Sequence, residues 1–122
     1  MTSAADADQT PDEARFWDLA EPLLGQPGVT RSTMMGFPCL RVNGQFFASV
    51  DRAAGNLVVK LPEERVDALV DQDRALPFAP AGRRFREWAA IPPSKARSWR
   101  RLLDDAHEFV ATLPPAPPKK RR

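Results

Sequence analysis

A chain of 122 residues, 43% hydrophobic and 28% charged, has the composition of one ordinary globular domain with one modest core. Its single cysteine, Cys39, excludes an internal disulfide and a cysteine-rich zinc site, and suits a reducing compartment. The formal charge of +2 hides an asymmetry: residues 1–73 hold 12 acids against 6 bases, residues 74–122 hold 4 acids against 12 bases, and the basic part is where a polyanion partner is expected.

Residues 1–9 are polar and acidic, the wrong chemistry for a secretory signal, and are expected to form a disordered arm. Thr10-Pro11-Asp12-Glu13 then reads as a helix start, with a capping box, proline at the first helical position and acids facing the dipole. Phe16, Trp17, Ala20, Leu23 and Leu24 recur at helical spacing, and Gly25 is placed to end the helix. A first strand is expected near 29–35. Asn43-Gly44 follows, the strongest short-range hairpin signal, because a type I′ turn needs positive φ at both central positions. It joins strands expected at 37–42 and 45–50. A turn at 52–56 leads to a short apolar strand at 57–61.

Pro62-Glu63-Glu64 opens a second helix whose apolar face carries Val66, Leu69 and Val70. Residues 73–82 read as a proline-rich loop or short edge strand, since Pro77 and Pro80 cannot donate to a ladder. FREWAAI, residues 85–91, reads as another strand, with Phe85, Glu87 and Ala89 on one side and Arg86, Trp88 and Ala90 on the other. Ser94 is the expected N-cap of a long last helix over 95–112, whose stripe runs through Trp99, Leu102, Leu103, Ala106, Phe109, Val110 and Leu113. Residues 114–122, PPAPPKKRR, are expected to form an extended basic tail. The organisation expected is therefore an α+β domain over 10–113. It has two layers, a single antiparallel sheet of about five strands and three helices, in the order α-β-β-β-β-α-β-α. No apolar run approaches the roughly 20 residues of a bilayer span, so a soluble, cytoplasmic protein without a membrane partner is expected.

Chemistry-bearing groups are sparse. His107 is the only histidine and there is no tyrosine; its place on the border of the last helix's stripe suits packing. Cys39 as a nucleophile would need His107 beside it or a lowered pKa, and nothing in the spacing brings them together. Glu63 and Glu64 sit where a helix dipole favours acids. Asp104, Asp105 and Glu108 fall on a polar helix side, with Arg100 and Arg101 four residues before the two aspartates. No metal-ligand set, phosphate loop or cofactor motif can be assembled, and no catalytic residue is assigned. The exception is a run of bases. Arg83, Arg84, Arg86, Lys95, Arg97, Arg100 and Arg101 face only Glu87 within residues 83–101, and Lys119, Lys120, Arg121 and Arg122 close the chain. If the FREWAAI strand and the start of the last helix are neighbours, these charges form one patch beside Trp88 and Trp99.

The element order, with GVTRSTMMGFPCLRVNGQFFASV, LVVKLPEERVDAL, GRRFREWAAIP and LLDDAHEFVATLPP, resembles the small bacterial proteins grouped as TfoX N-terminal-like (TfoX/Sxy) and YjbR/MmcQ-like. The likeness covers roughly residues 12–114. It implies a two-layer fold with an antiparallel sheet and imports no active site; the family carries the labels of competence regulator and DNA-binding protein. Many YjbR/MmcQ-like sequences have a His-aromatic pair where this one has Phe78-Ala79-Pro80-Ala81-Gly82-Arg83, which favours the TfoX-like side. The chain also ends where a second TfoX domain would begin. The expectation is a non-enzymatic binding or regulatory module that touches nucleic acid weakly through the basic residues named above, driven by counterion release. The alternative is a protein adaptor or homodimer using the sheet's uncovered face or an edge. Phe37, Leu40, Val42, Phe46, Phe47 and Val50 would supply that apolar surface.

Overall fold

Asn43 and Gly44 hold φ of 53° and 82° and turn strand β2 (Phe37–Val42) into β3 (Gln45–Asp51), the hairpin their composition predicts. The computed structural model describes residues 11–34, 37–51, 54–79 and 82–113. The expected arm at 1–9, the capping residue Thr10 and the tail at 114–122 fall outside them. With β1 (Val29–Met34), β4 (Asn56–Lys60), β5 (Leu76–Pro77) and β6 (Trp88–Ile91), the hairpin belongs to a six-stranded sheet of order β1-β2-β3-β4-β6-β5. Every neighbouring pair is antiparallel.

The sixth strand is the two-residue edge β5, placed within the stretch read as loop or edge. The strand expected over 85–91 is shorter than its pattern. Its partner β4 stops at Lys60, paired with Trp88, because Pro62 lacks an N–H and the chain turns into a helix there. Residues 85–88 instead make a turn, closed by the Trp88 amide donating to the Phe85 carbonyl at 3.1 Å.

Helices α1 (Pro11–Leu24), α2 (Glu63–Asp71) and α3 (Trp99–Ala111) bury their stripes in one core. Phe16, Ala20 and Leu23 come from α1, Val66 and Leu69 from α2, and Trp99, Leu102, Leu103, Ala106 and Val110 from α3. They meet Leu40, Val42, Val50, Leu57, Val59 and Ile91, which occupy one face of the sheet. This is the two-layer α+β arrangement expected.

Two local departures matter. A bulge between Leu40 and Arg41 pairs Leu40 with Ala48 and Arg41 with Phe46, leaving Phe47 as the extra residue. Phe47 and Ala48 are both fully buried as a result, which no alternating pattern gives. The last helix starts later than Ser94 suggests. A 3-10 turn spans Pro93–Ser98, broken at Lys95 (φ −109°, ψ 25°), and α3 begins at Trp99. Pro93 stands at the start of that turn, where a missing N–H costs nothing. The chain is therefore already coiled at Ser94, which caps nothing. Ser98 takes the N-cap position, but its hydroxyl donates to the Lys95 carbonyl at 2.8 Å and does not cap the helix.

Candidate functional site

The basic residues that sequence groups together differ in the partners they keep. Arg84 donates to Asp67 at 3.0 Å, and Arg86 donates to Glu63 at 3.2 Å. Glu63 and Asp67 stand one turn apart on α2, so that edge of the helix draws both arginines of the preceding-strand loop onto itself. Arg83 is exposed and reaches over the Phe85 ring at 5.7 Å. Lys95, Arg97 and Arg100 are exposed and make no ion pair among the described residues. Arg101 approaches Asp105 only at 4.0 Å. Lys119, Lys120, Arg121 and Arg122 lie outside the described residues. Neither tryptophan lies open beside these bases: Trp99 is fully buried in the core, and Trp88 packs at 6.4 Å on Phe78.

A cleft of about 590 Å³ opens between α2 and the start of α3, lined by Arg65, Arg74, Arg97 and Arg101 together with Ala68, Leu69, Gln72, Ser98 and Leu102. Its two walls follow from helical spacing. Residues 65, 68, 69 and 72 share one face of α2, and residues 97, 98, 101 and 102 one side of the 3-10 turn and α3. Arg74 is set by the chain reversal that ends α2. The Asp73 amide donates to the Val70 carbonyl at 3.0 Å and the Arg74 amide to the Leu69 carbonyl at 2.8 Å. This is a Schellman closure with Asp73 in the left-handed region at φ 59°. Four arginines line the cleft and, among the described residues, no acidic residue does. Asp105 stands behind them, accepting from Arg65 at 2.8 Å. Asp105 is thus less free than the solvated helix side expected for it.

The remaining candidates are apart. Cys39 lies on the sheet face opposite the helices, in a row with Ser32, Ser49, Val58 and Ala90 across five strands. His107, on α3, packs 5.5 Å from Phe47 on the helix side. The sheet therefore stands between thiol and imidazole. Burial pushes the Cys39 thiol up, opposed by a hydrogen bond with Ser32 and the nearby Arg41 charge, so the thiol stays protonated and a poor nucleophile. Ser49 spends its hydroxyl on the Pro38 carbonyl at 2.9 Å. Among the described residues no group of three or more His, Cys, Asp or Glu is placed to hold a metal ion, and no helix is long and apolar enough to cross a membrane. Of the six apolar hairpin residues, Leu40, Val42, Phe47 and Val50 are buried on the helix side. Phe37 is 38% exposed, and Phe46 lies half-buried under the Arg41 guanidinium at 4.3 Å.

Sequence reading found Arg97 and Arg101 and missed Arg65 and Arg74. Arg65 lies in an acid-rich first turn and Arg74 alone after a helix, so neither belongs to a basic run. The signal that could have found them is Arg65, Ala68 and Gln72 at i, i+3 and i+7: a polar edge of α2 with a cation and an amide but no acid. In comparison with known proteins, a family model described as YjbR matches residues 24–109. That is the YjbR side of the resemblance, where the Phe78–Arg83 stretch had favoured the TfoX side. No curated protein matches the chain.

Proposed function

Taking as premise that the chain belongs to the YjbR family, we propose that it is a non-enzymatic cytoplasmic binding module whose basic side contacts the phosphate backbone of nucleic acid without reading sequence. One observation carries this. Of the cations without an ion pair among the described residues, Lys95, Arg97, Arg100 and Arg74 lie at the cleft and at the turn into α3 and Arg31, Arg41 and Arg83 lie over aromatic rings, while Arg84 and Arg86 are matched by α2. Guanidinium forks suit phosphate oxygens, and counterion release supplies the free energy. The described lining of the cleft carries no aromatic side chain on which a base could stack, which supports a sequence-independent mode.

The test is fluorescence anisotropy of labelled duplex DNA and single-stranded RNA. Binding at about 50 mM salt should weaken with a slope near −0.9 per phosphate contacted on duplex DNA. Removing Lys119–Arg122 should flatten that slope by up to about 3 to 4 units. No salt-dependent change with either probe ends the reading.

The alternative, an adaptor or homodimer, draws on one observation: edge strand β5 carries Leu76 at 47% exposure, and Phe85 nearby is 39% exposed. Light scattering that returns a monomer at every concentration removes it.

A further inference from the structure

We propose that the cleft between α2 and the start of α3 is a binding site for a small organic molecule carrying phosphate groups. Its charged end is held by Arg65, Arg74, Arg97 and Arg101, and its organic part lies against Leu69 and Leu102. The inference goes beyond the nucleic-acid reading and shares with it only the cleft arginines.

Three observations carry it. The first is size and chemistry together. A volume of about 590 Å³ is far more than a lone phosphate fills and falls within the roughly 300–1,000 Å³ usual for small-ligand pockets. Four arginines from two walls and a turn line one space, whereas a surface that tracks a nucleic-acid backbone needs only an open stripe. A terminal phosphate, with its double charge and several acceptor oxygens, uses forks arriving from several directions; a diester presents fewer oxygens to one cradle. Gln72 adds an amide that both donates and accepts, and the Ser98 oxygen, already donating to Lys95, keeps acceptor capacity.

The second observation is the uneven engagement of the four. Asp105 holds Arg65 at 2.8 Å and stands 4.0 Å from Arg101, so its carboxylate stations the Arg65 guanidinium and leaves that of Arg101 loosely attended. Arg74 and Arg97 have no ion pair among the described residues. An incoming anion therefore meets one pre-placed fork and three that are open to engage it. The third is a local rule broken at the start of the helix. The first turn of α3 has no acid, and Arg100 and Arg101 occupy it, with Lys95 and Arg97 just before. Cations at a helix N-terminus oppose the macrodipole. The opposition is relieved when a polyanion occupies the adjoining cleft, so the arrangement is stabilised by ligand.

Isothermal titration of the full chain with ADP, inorganic pyrophosphate and adenosine tests this, with thermal unfolding as a second readout. ADP should bind with a Kd at or below about 1 mM and raise the unfolding temperature. Pyrophosphate should bind about tenfold more weakly, because it leaves the Leu69–Leu102 side unfilled. Adenosine should not bind. Arg74→Gln and Arg97→Gln should each weaken ADP about tenfold. Neither residue is ion-paired among the described residues, so both variants should unfold at the wild-type temperature without ligand. Failure of ADP to bind, retention of full affinity in the double variant, or equal affinity for ADP and pyrophosphate overturns the proposal. Duplex DNA binding measured on the same samples separates the two readings. DNA bound without ADP affinity sinks this inference alone, and ADP bound without DNA affinity sinks the nucleic-acid reading alone.

Discussion

Arginines 83, 84 and 86 and the bases at 95, 97, 100 and 101 are similarly dense along the chain, yet α2 treats them oppositely. Its acidic edge, Glu63 and Asp67, takes up Arg86 and Arg84. Its other edge offers Arg65, Ala68 and Gln72, and adds a cation to those of Arg97 and Arg101 across the cleft. The same nine-residue helix quenches one basic segment and reinforces the other. Charge that is available to a ligand is thus decided by which side of a neighbouring helix the acids occupy, not by the count of bases in a window.

Charge reversal at the reinforced segment should give the largest effect. Arg97→Glu with Arg101→Glu removes two charge-assisted contacts and adds repulsion, and should weaken DNA binding about 100-fold or more at low salt. Electrophoretic shift at fixed salt checks this. Turning the quenched segment on comes next. Glu63→Gln with Asp67→Asn leaves Arg86 and Arg84 without acids, and should steepen the salt slope by up to about 2 units. An unchanged slope would mean that those arginines cannot reach a phosphate even when free. Asp105→Asn is smaller. Removing the carboxylate that competes for Arg65 and Arg101 should tighten both DNA and ADP by about fivefold, a coulombic change near 1 kcal/mol. Weakening would show that Asp105 matters more as an orienting group than as a competitor. The smallest effect belongs to stability. Arg84→Gln in the exposed pair with Asp67 should cost about 0–1 kcal/mol in urea unfolding.

The fold was legible where a local rule had no competitor. Asn43-Gly44 specified its turn, and the stripe from Trp99 to Val110 specified a buried helix face. Local signals failed where tertiary partners decide. The bulge at Phe47 depends on how β3 meets β2, and the late start of α3 depends on Pro93 coiling the chain before Ser94 can cap it. The length of β6 depends on β4 ending before Pro62. The site was half legible for a related reason. Arg97 and Arg101 advertise themselves within a basic run, whereas Arg65 joins them only because α2 is laid beside α3. Its link to Asp105 spans 40 residues of sequence, and no window of composition contains both.

The salt dependence of DNA binding, measured side by side in Arg97→Gln/Arg101→Gln and in Arg84→Gln/Arg86→Gln, addresses the contrast between the two segments most directly. Both pairs remove two positive charges, so any general effect of net charge cancels. The slope should be shallower by about 1.8 units in the first variant, the share of two phosphates, and within experimental error of wild type in the second. Equal flattening in the two variants would show that Arg84 and Arg86 reach phosphate as well as Arg97 and Arg101 do, and that α2 does not set the two segments apart.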